Sequence, residues 1–578
     1  MTQNFSTIKI AGPAGSGIKS AGQVFSKLLI DHGYNLVDYS EYPSLVRGGH
    51  NTYQITFSNE KVFAAHFNVD LFFSVYPNHW QPHQSEFTKS TLVFSEEDFS
   101  TVKSKATFIK LPLKEMADQV GSPLVINTLC LGIATYIYGL DVQKAKDLIC
   151  EAYQKYCEIN LNAFNIAYSY AEKNFSKFQI KIKKPTKIVK MGFNEGNEAS
   201  GWGFIKGGGS FYAAYPMTPA TGILHFLANK QTEFKLTVVH PEDEIAAANM
   251  AAGAAFVGAR SATGTSGGGF ALMNEAVSFC GIAEIGMVYY LVSRPGPATG
   301  LPTWTSQGDL LHAIYSGHGE FPKVVLAPGD VNESFELSHI ALDLAAQLQT
   351  PIIVVSDKLI GESSSSTKYF PDIKVKINKG KILNEIEGDD FKRYAFTKDG
   401  ISPVSLPGTP GGEFMANSYE HDEFGFSTED AVLSEKMFQK RMLKTKTALK
   451  ICPKANFFGS KKAKKLIIGW GSPKGAILEA LKLMDNREDF AFLQLKTLWP
   501  INPEIQTIIN AFKETIVIEN NGTNQLVTVL KSQFDFNPTK IINKNDGRPF
   551  FPEEIIKLLE SRPVKGDARR AEGLNIKK

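Results

Sequence analysis

The stretches GSFYAAYPMTPAT (209–221) and HPEDEIAAANMAAGAAFVGA (240–259) carry the strongest structural signal in this chain. Two prolines around Thr218 restrict the backbone, so the hydroxyl group there is presented at little further entropic cost. Pro241 suits the first turn of a helix, and the acids after it face the positive end of the helix dipole. The Ala/Gly surface of that helix allows another backbone or a flat ring to approach closely. Either stretch alone is explained by an ordinary turn or a tightly packed helix, but the pair predicts a binding site.

Apolar periodicity and turn residues divide the rest of the chain into α/β blocks with mostly parallel sheets. The first block predicts a βαβ opening, with a strand at 6–10, the glycine turn GPAGSG (12–17), a helix over 18–32 and a second strand over 34–39. Strands are also expected at 51–57, 70–75, 91–94, 286–293 and 465–471, and helices at 125–138, 142–156 and 270–279. The predicted limits are 1–185, 193–365, an extended connecting region at 366–455, a last domain at 456–562 and a mobile tail at 563–578.

The composition of the 578 residues is that of a globular protein, with a formal net charge of +3 and 21% charged residues. This balance indicates neither a nucleic-acid partner nor a membrane partner. No run approaches the roughly 18 apolar residues of a membrane span, and the first residues lack the pattern of a signal peptide. We therefore expect a cytoplasmic protein.

The cysteines are Cys130, Cys150, Cys157, Cys280 and Cys452. They form no C-x-x-C pair and no zinc spacing, so we expect them to be reduced and mostly buried, with no metal site on this chain. An iron–sulfur cluster needs about four thiolates at suitable spacing. Any cluster that serves this protein is therefore expected on another chain.

One pattern favours a different function. The turn Gly12–Gly17 could hold an anion at a helix N-terminus, and Asp38 follows at the end of the second predicted strand, where dinucleotide-binding proteins keep a ribose-binding acid. The glycine spacing is G-x-x-G-x-G rather than G-x-G-x-x-G, and Pro13 interrupts the turn. A dinucleotide-dependent dehydrogenase is thus the alternative reading.

Four segments occur together: YPMTPAT (215–221), HPEDEIAAANMAAGAAFVGARSATGTSGGG (240–269), RPGPATGLPTWTSQGDL (294–310) and ENNGTNQL (519–526). In this order and spacing they resemble the α subunit of 2-oxoacid:ferredoxin oxidoreductases. The earlier part of the chain, with EYPSLVRGGHNTYQI (41–55), separately resembles the γ subunit of the same enzymes. The resemblance implies a fused γ–α chain of three Rossmann-like or transketolase-like domains.

In that family a thiamine diphosphate lies between an α-type pyrimidine domain and a β-type pyrophosphate domain. The resemblance implies that Glu244 is the acid that hydrogen-bonds the aminopyrimidine ring, with Glu242 and Asp243 as rival candidates. It implies that Thr218 binds the 2-oxoacid, with Arg294 also at the substrate. The residues expected near the cofactor are Tyr215, Pro216, Thr265, Ser266 and Gly267.

Arg47 and His50, in the γ-type part, are candidates for coenzyme A access or an interface, although capping of the RGG turn explains them equally well. One departure is notable: many relatives carry Arg or Lys after the P-T of the third segment, whereas this chain has Trp304. If that basic residue binds the substrate carboxylate, recognition here needs another cation, with Arg294, His312 and partner residues as options.

The usual magnesium segment, G-D-G with a downstream asparagine, is not found; Asn545-Asp546-Gly547 lies too near the C-terminus. We therefore expect Mg2+ and the iron–sulfur cluster on a β subunit, with ferredoxin reduced through the complex and coenzyme A as acyl acceptor. The γ–α fusion and the GHGEFP segment (317–322) favour 2-oxoglutarate as the 2-oxoacid. A non-catalytic assembly subunit is the other alternative.

Overall fold

Three sheets organise the structure, a computed structural model that describes residues 3–44, 48–97, 99, 102–388 and 390–561. The elements of the first part are β1 (Phe5–Ala14), α1 (Ile18–Asp31), β2 (Asn35–Glu41), β3 (Gly48–Ser58), β4 (Val69–Ser74), β5 (Phe87–Ser95), β6 (Thr107–Lys110), α2 (Leu113–Val120), α3 (Ile126–Ile137), α4 (Val142–Tyr153) and α5 (Cys157–Asn174).

The second part alternates short strands and helices. Its elements are β7 (Gly192–Glu195), α6 (Gly196–Lys206), β8 (Phe211–Ala213), α7 (Thr221–Phe234), β9 (Thr237–Val239), α8 (Glu244–Phe256), β10 (Ser261–Thr265), α9 (Gly267–Leu272), α10 (Asn274–Ile282), β11 (Val288–Ser293), α11 (Leu310–Tyr315), β12 (Val324–Leu326), α12 (Val331–Leu348), β13 (Ile352–Asp357), α13 (Lys358–Glu362) and β14 (Ser364–Thr367).

A long helix and a third α/β unit complete the chain. They comprise α14 (Ala431–Ile451), β15 (Asn456–Phe458), β16 (Lys465–Gly469), α15 (Pro473–Leu483), β17 (Phe490–Gln494), β18 (Thr497–Trp499), α16 (Glu504–Asn510), β19 (Glu514–Glu519), α17 (Gln525–Phe534), β20 (Lys540–Asn543) and α18 (Pro552–Glu560). Single 3-10 turns occur at Gln81–Glu86, Pro123–Val125, Gln154–Tyr156, Ser176–Phe178, Phe370–Asp372 and Arg487–Asp489.

The first sheet has the order β6-β5-β4-β1-β3-β2-β14-β7. Strands β6, β5, β4 and β1 are parallel, but β3 lies antiparallel between β1 and β2. The predicted strand–helix–strand opening is present, and β1 and β2 are parallel to each other because both are antiparallel to β3, but β3 lies between them and makes this a split βαβ unit. The second part contributes β7 and β14 to this sheet. Strand β14 lies between β2 and β7 and runs antiparallel to both.

The other two sheets confirm the predicted α/β class. The second sheet has the order β18-β12-β13-β11-β10-β8-β9, parallel throughout except for β18. The third has the order β15-β17-β16-β19-β20, parallel except for β15. Because β18 belongs to the third part of the chain and pairs with β12, the second and third parts share a sheet.

The connecting region 366–455 is fastened to the second sheet by buried charges. Glu284 is fully buried, and its carboxylate lies 2.6 Å from Nζ of Lys440 and 2.7 Å from Nζ of Lys444 on α14. Arg393 donates to the Glu284 carbonyl oxygen at 3.0 Å. Burial lowers the pKa of Lys444 to about 7 against the opposing charge of Glu284. Loss of either partner would strand a buried charge, which is strongly destabilising.

The cysteines depart in part from expectation. Cys150 and Cys157 form a disulfide bond, with Cα atoms 4.5 Å apart, where α4 ends and α5 begins. The prediction of reduced cysteines was wrong for this pair, because the Gln154–Tyr156 turn brings the two helix ends together. Cys130 and Cys280 are buried free thiols. None of the helices in the described residues has the length and hydrophobicity of a bilayer-crossing segment.

The first part docks on the third through the loop after β3. His66 is buried, with Nδ1 at 2.9 Å from Oε1 of Glu553, and the Phe63 backbone N–H donates to Glu479 at 2.8 Å. Burial by itself lowers the pKa of His66, but hydrogen bonds and negative charge from Glu479 and Glu553 outweigh it and raise the pKa to about 9. A charged imidazole therefore holds the two parts together near neutral pH.

This docking predicts a defined pH dependence. A raised folded-state pKa adds stability below the unfolded value, about 6.5, and that stability is lost as the pH rises through the folded value near 9. His66→Gln should lower the thermal unfolding midpoint at pH 6.5, and its deficit relative to wild type should shrink as the pH approaches 10. The control is His225→Gln, which changes an exposed histidine on α7. A deficit that stays constant over this range would contradict the assignment.

Candidate active site

The carboxyl ends of adjacent parallel strands bring the predicted site residues to one edge of the second sheet. Strands β8, β10 and β11 are neighbours, with β9 beside β8. Residues 214–218 follow β8, Glu244 begins the helix after β9, Ser266 and Gly267 follow β10, and Arg294 follows β11. Ligands in open α/β sheets bind at this kind of edge.

Glu244 is a buried acid whose carboxylate lacks a complete set of partners. Its side chain is 4% exposed, and Oε1 has no hydrogen-bond partner among the described residues. A Cβ atom on Gly269 would lie 2.6 Å from Oε1 of Glu244 and 2.1 Å from Oγ1 of Thr265. The carboxyl group is therefore seated against bare backbone. An unpaired buried carboxyl oxygen is costly, so the arrangement calls for a donor from outside this chain.

The rival acids have other positions. Asp243 is the N-cap of α8, and its Oδ1 accepts a hydrogen bond from the backbone N–H of Ala246 at 2.8 Å. Glu242 is exposed. Only Glu244 among the three therefore reaches the buried space beside Gly269.

Thr218 and Arg294 lie together. Nη1 of Arg294 donates to the Thr218 carbonyl oxygen at 2.6 Å, and the side-chain amide of Asn197 donates to the Pro219 carbonyl oxygen at 2.8 Å. The loop is thus held from both sides. Burial lowers the pKa of Arg294, while the nearby charge of Asp309 opposes this effect. Arg294 hydrogen-bonds to a neutral carbonyl group rather than to a carboxylate. Its positive charge can therefore interact with an anionic ligand.

Several buried polar atoms at this edge have no hydrogen-bond partner within the described residues. They are Oγ1 of Thr263, Oγ of Ser266 and Oγ1 of Thr303. A Cβ atom on Gly267 would lie 2.7 Å from Oδ1 of Asp309. The carboxyl group of Asp309 therefore also packs against the backbone of a glycine. Burial raises the pKa of Asp309. The sequence analysis missed Asp309 and Thr303, although both lie in the TSQGDL-containing segment that carried the resemblance.

Tyr215 and Pro216 lie at the outer rim. Tyr215 is 38% exposed, and its ring packs edge-on against His240 with centroids 5.8 Å apart. Beside this rim, apolar side chains of α8 and α9 face outward: Ile245, Met250 and Leu272 are each at least 41% exposed. An apolar face next to unsatisfied buried polar atoms is typical of a surface that a partner covers.

Of the candidates in the first part, His50 does not join this edge. Arg47 lies outside the described residues. His50 pairs with His79, Nδ1 to Nδ1 at 2.8 Å, and with His83, Nε2 to Nε2 at 2.7 Å. Burial and the charges of these two histidines lower the pKa of His50 to about 4, so it is neutral at pH 7. The sequence spacing gave no sign of this histidine chain.

Asp38 does not occupy a ribose-binding position. Its Oδ2 accepts from the Tyr53 hydroxyl at 2.5 Å, and its Oδ1 accepts from the backbone N–H of Ser364 at 2.6 Å. Burial raises the pKa of Asp38 to about 6. With both oxygens engaged, and β3 between β1 and β2, the geometry of a dinucleotide site is missing.

The comparisons with known proteins cover almost the whole chain. The family model described as "Pyruvate flavodoxin/ferredoxin oxidoreductase, thiamine diP-bdg" matches residues 203–440, and "Pyruvate ferredoxin/flavodoxin oxidoreductase" matches residues 7–170. The 2-oxoacid:ferredoxin oxidoreductase subunit alpha of Saccharolobus solfataricus is 32% identical over 97% of this chain and 98% of its own length.

Two further relatives carry a more specific name. The 2-oxoglutarate oxidoreductase subunit KorA of Mycobacterium tuberculosis is 26% identical over 96% of this chain and 91% of its own length. A solved structure of 2-oxoglutarate:ferredoxin oxidoreductase from Magnetococcus marinus, with 2-oxoglutarate, coenzyme A and succinyl-CoA bound, superposes with a TM-score of 0.90. It is 28% identical and covers 96% of this chain and 99% of that one.

The close seat of Glu244 on Gly269 can be tested by adding one methyl group. Gly269→Ala should lower stability by about 1 to 3 kcal/mol, because the new Cβ collides with the buried Thr265 and Glu244. Gly268→Ala is the matched control: it lies in the same helix, and its Cβ would meet no atom within 4 Å. It should be neutral or stabilising by up to about 1 kcal/mol. Equal unfolding midpoints for the two variants would show that Glu244 and Thr265 do not pack closely against Gly269.

Proposed function

Since the chain belongs to the 2-oxoacid:ferredoxin oxidoreductase α subunits, we propose that it supplies the pyrimidine side of a thiamine diphosphate site that acts on 2-oxoglutarate. The buried carboxyl group of Glu244, whose Oε1 has no hydrogen-bond partner among the described residues, carries this proposal. The thiamine-diphosphate-binding family model spans the segments that contain Thr218, Glu244 and Arg294. The names of the Mycobacterium tuberculosis and Magnetococcus marinus relatives favour 2-oxoglutarate over other 2-oxoacids.

The residues present fit the aminopyrimidine ring of this cofactor. Oε1 of Glu244 needs a hydrogen-bond partner, and the absence of a side chain at Gly269 is what lets the carboxyl group lie in this buried position. When bound against Glu244, thiamine diphosphate would supply a nucleophilic thiazolium carbon and an electron sink for the decarboxylation of a 2-oxoacid. Glu244 would hold the proton that a ring nitrogen shares, in a space where water is excluded.

The substrate end would be organised by the loop after β8. Arg294 donates to the Thr218 carbonyl oxygen, so the cation and the Thr218 hydroxyl group belong to one rigid unit. A carboxylate next to the reacting carbonyl would then receive charge-assisted hydrogen bonds from Arg294 and a further bond from Thr218. Tyr215 and Pro216 at the rim, with Thr265, Ser266 and Gly267 beside Glu244, would line the cofactor.

The other half of the site would come from a β subunit. The subunit names of the relatives and the exposed apolar side chains of α8 and α9 support a partner at this edge. We assign Mg2+, the iron–sulfur cluster and the contact with ferredoxin to that subunit. The complex would convert 2-oxoglutarate and coenzyme A to succinyl-CoA and CO2, with two electrons passing to ferredoxin.

Reconstitution tests this proposal directly. The chain combined with its cognate β subunit, thiamine diphosphate and Mg2+ should reduce ferredoxin when 2-oxoglutarate and coenzyme A are added, and succinyl-CoA should accumulate. Pyruvate, 2-oxobutyrate and 3-methyl-2-oxobutanoate serve as competing substrates. Absence of turnover with every 2-oxoacid, in a complex that does assemble, would favour a non-catalytic assembly role instead.

The role of Glu244 has its own measurement. Glu244→Gln is nearly isosteric, so assembly and cofactor binding should persist, while hydrogen–deuterium exchange at the thiazolium carbon should slow by about 10²- to 10⁴-fold. Glu242→Gln is the matched control, since it removes an exposed carboxylate two residues earlier. If the Glu244→Gln complex exchanges this hydrogen at the wild-type rate, Glu244 has only a structural role at the start of the helix.

A further inference from the structure

The loop between Arg294 and Asp309 carries an aromatic side chain at a position where the family pattern led us to expect a cation. Trp304 lies in this loop, whose two ends, Arg294 and Asp309, both belong to the candidate active site. Gln307 fixes the loop on the third part of the chain: its backbone N–H donates to the Asn520 carbonyl oxygen at 2.7 Å. The Trp304 ring is therefore held at the junction of the second and third parts.

A cation from the third part lies on that ring. The guanidinium carbon of Arg548 is 3.5 Å from the Trp304 ring centroid, a face-to-face stacking distance. Stacking on an aromatic face orients a guanidinium group while its edge N–H donors stay accessible. Residue 304 itself is uncharged, but the guanidinium group of Arg548 places a positive charge against the end of its side chain.

The backbone that carries this arginine is fixed on both sides. The Gly547 carbonyl oxygen accepts from the Thr305 backbone N–H at 3.0 Å, and the Asn520 side-chain amide donates to the Arg548 carbonyl oxygen at 2.9 Å. Gly547 has φ of +81°, and a Cβ atom there would lie 3.0 Å from Cβ of Trp304. A glycine is therefore needed for Arg548 to reach the ring.

The guanidinium group has few partners of its own. Among the described residues, its one side-chain hydrogen bond runs from Nη1 to the Asp546 carbonyl oxygen at a long 3.3 Å, and no carboxylate lies within 4.0 Å. Arg441 and Arg260, by contrast, each bind a carboxylate within the chain. An arginine offers five N–H donors in a fork that matches a carboxylate.

We propose that Arg548, oriented by the Trp304 ring, is a specificity-determining residue that binds the second carboxylate of a dicarboxylic 2-oxoacid. The inference rests on the proposed function and deepens it, because it names the residue that selects a dicarboxylic substrate. Arg294 would serve the carboxylate beside the reacting carbonyl, and Arg548 the distal one. A monocarboxylic 2-oxoacid leaves Arg548 without a partner, so the enzyme selects against it.

The test uses the reconstituted complex and compares kcat/KM for 2-oxoglutarate with kcat/KM for 2-oxobutyrate. Arg548→Met keeps the length and the contact with Trp304 but removes the charge-assisted hydrogen bonds. This selectivity ratio should fall by about 10- to 150-fold. Arg487→Met, which changes an exposed arginine of the same part, is the matched control and should retain the wild-type ratio.

A second comparison needs no variant. The wild-type complex should use 2-oxoglutarate at least tenfold more efficiently than its 5-methyl ester, which has the same chain without the distal charge. An unchanged ratio in Arg548→Met, an equal loss for both substrates, or equal use of the acid and the ester would overturn the assignment. Absence of turnover with all 2-oxoacids in the wild-type complex would instead refute the proposed function.

Discussion

The contact of the Glu244 carboxyl group with Gly269, in the first turn of α9, is the one on which the rest of the site depends. Oε1 of Glu244 lies where any side chain on Gly269 would be, so the acid can be buried here only because the turn has no side chain. Parallel strands β8, β10 and β11 bring the Thr218 loop and Arg294 to the same edge. This geometry leaves Oε1 without a hydrogen-bond partner among the described residues, which is costly for a buried carboxyl group.

Buried ion pairs, rather than apolar surface alone, determine how the parts of the chain dock. Lys474 on α15 lies 2.6 Å from both Asp330 and Glu333, at the start of α12. Glu284 holds the connecting region through Lys440 and Lys444, and His66 holds the first part against the third. These buried charged side chains stabilise only the arrangement in which they are paired. Any other arrangement would leave a charge buried without a partner, which is destabilising. The site edge is thereby held at one position relative to Trp304 and Arg548.

Local patterns in the sequence were sufficient for the α/β class, whereas the choice of the candidate acid came from the family resemblance. Alternation of short apolar strands with helices predicted parallel sheets, which the second and third sheets confirm. The acids after Pro241 predicted a helix start, and α8 begins at Glu244 with Asp243 as its N-cap, so Pro241 precedes the helix and does not lie in its first turn. Thr218 and Glu244 were named from the family resemblance, and Arg294 also because it follows the predicted strand at 286–293, at the end where such sheets place ligand contacts. Their catalytic roles remain proposals.

What the sequence by itself determined is therefore the local structure: strand and helix periodicity, the cap of α8, the glycine turn after β10 and the acids and hydroxyl groups at strand ends. The tertiary structure alone decided which distant residues meet. It inserted β3 between β1 and β2, paired Cys150 with Cys157, and engaged both oxygens of Asp38. It also buried the lysine face of α14 and stacked Arg548 on Trp304. The reason is physical. In the sequence, a row of lysines or a single arginine looks like part of a solvated surface. Such a side chain becomes an interior contact only when a charge or a ring from a distant part of the chain packs against it.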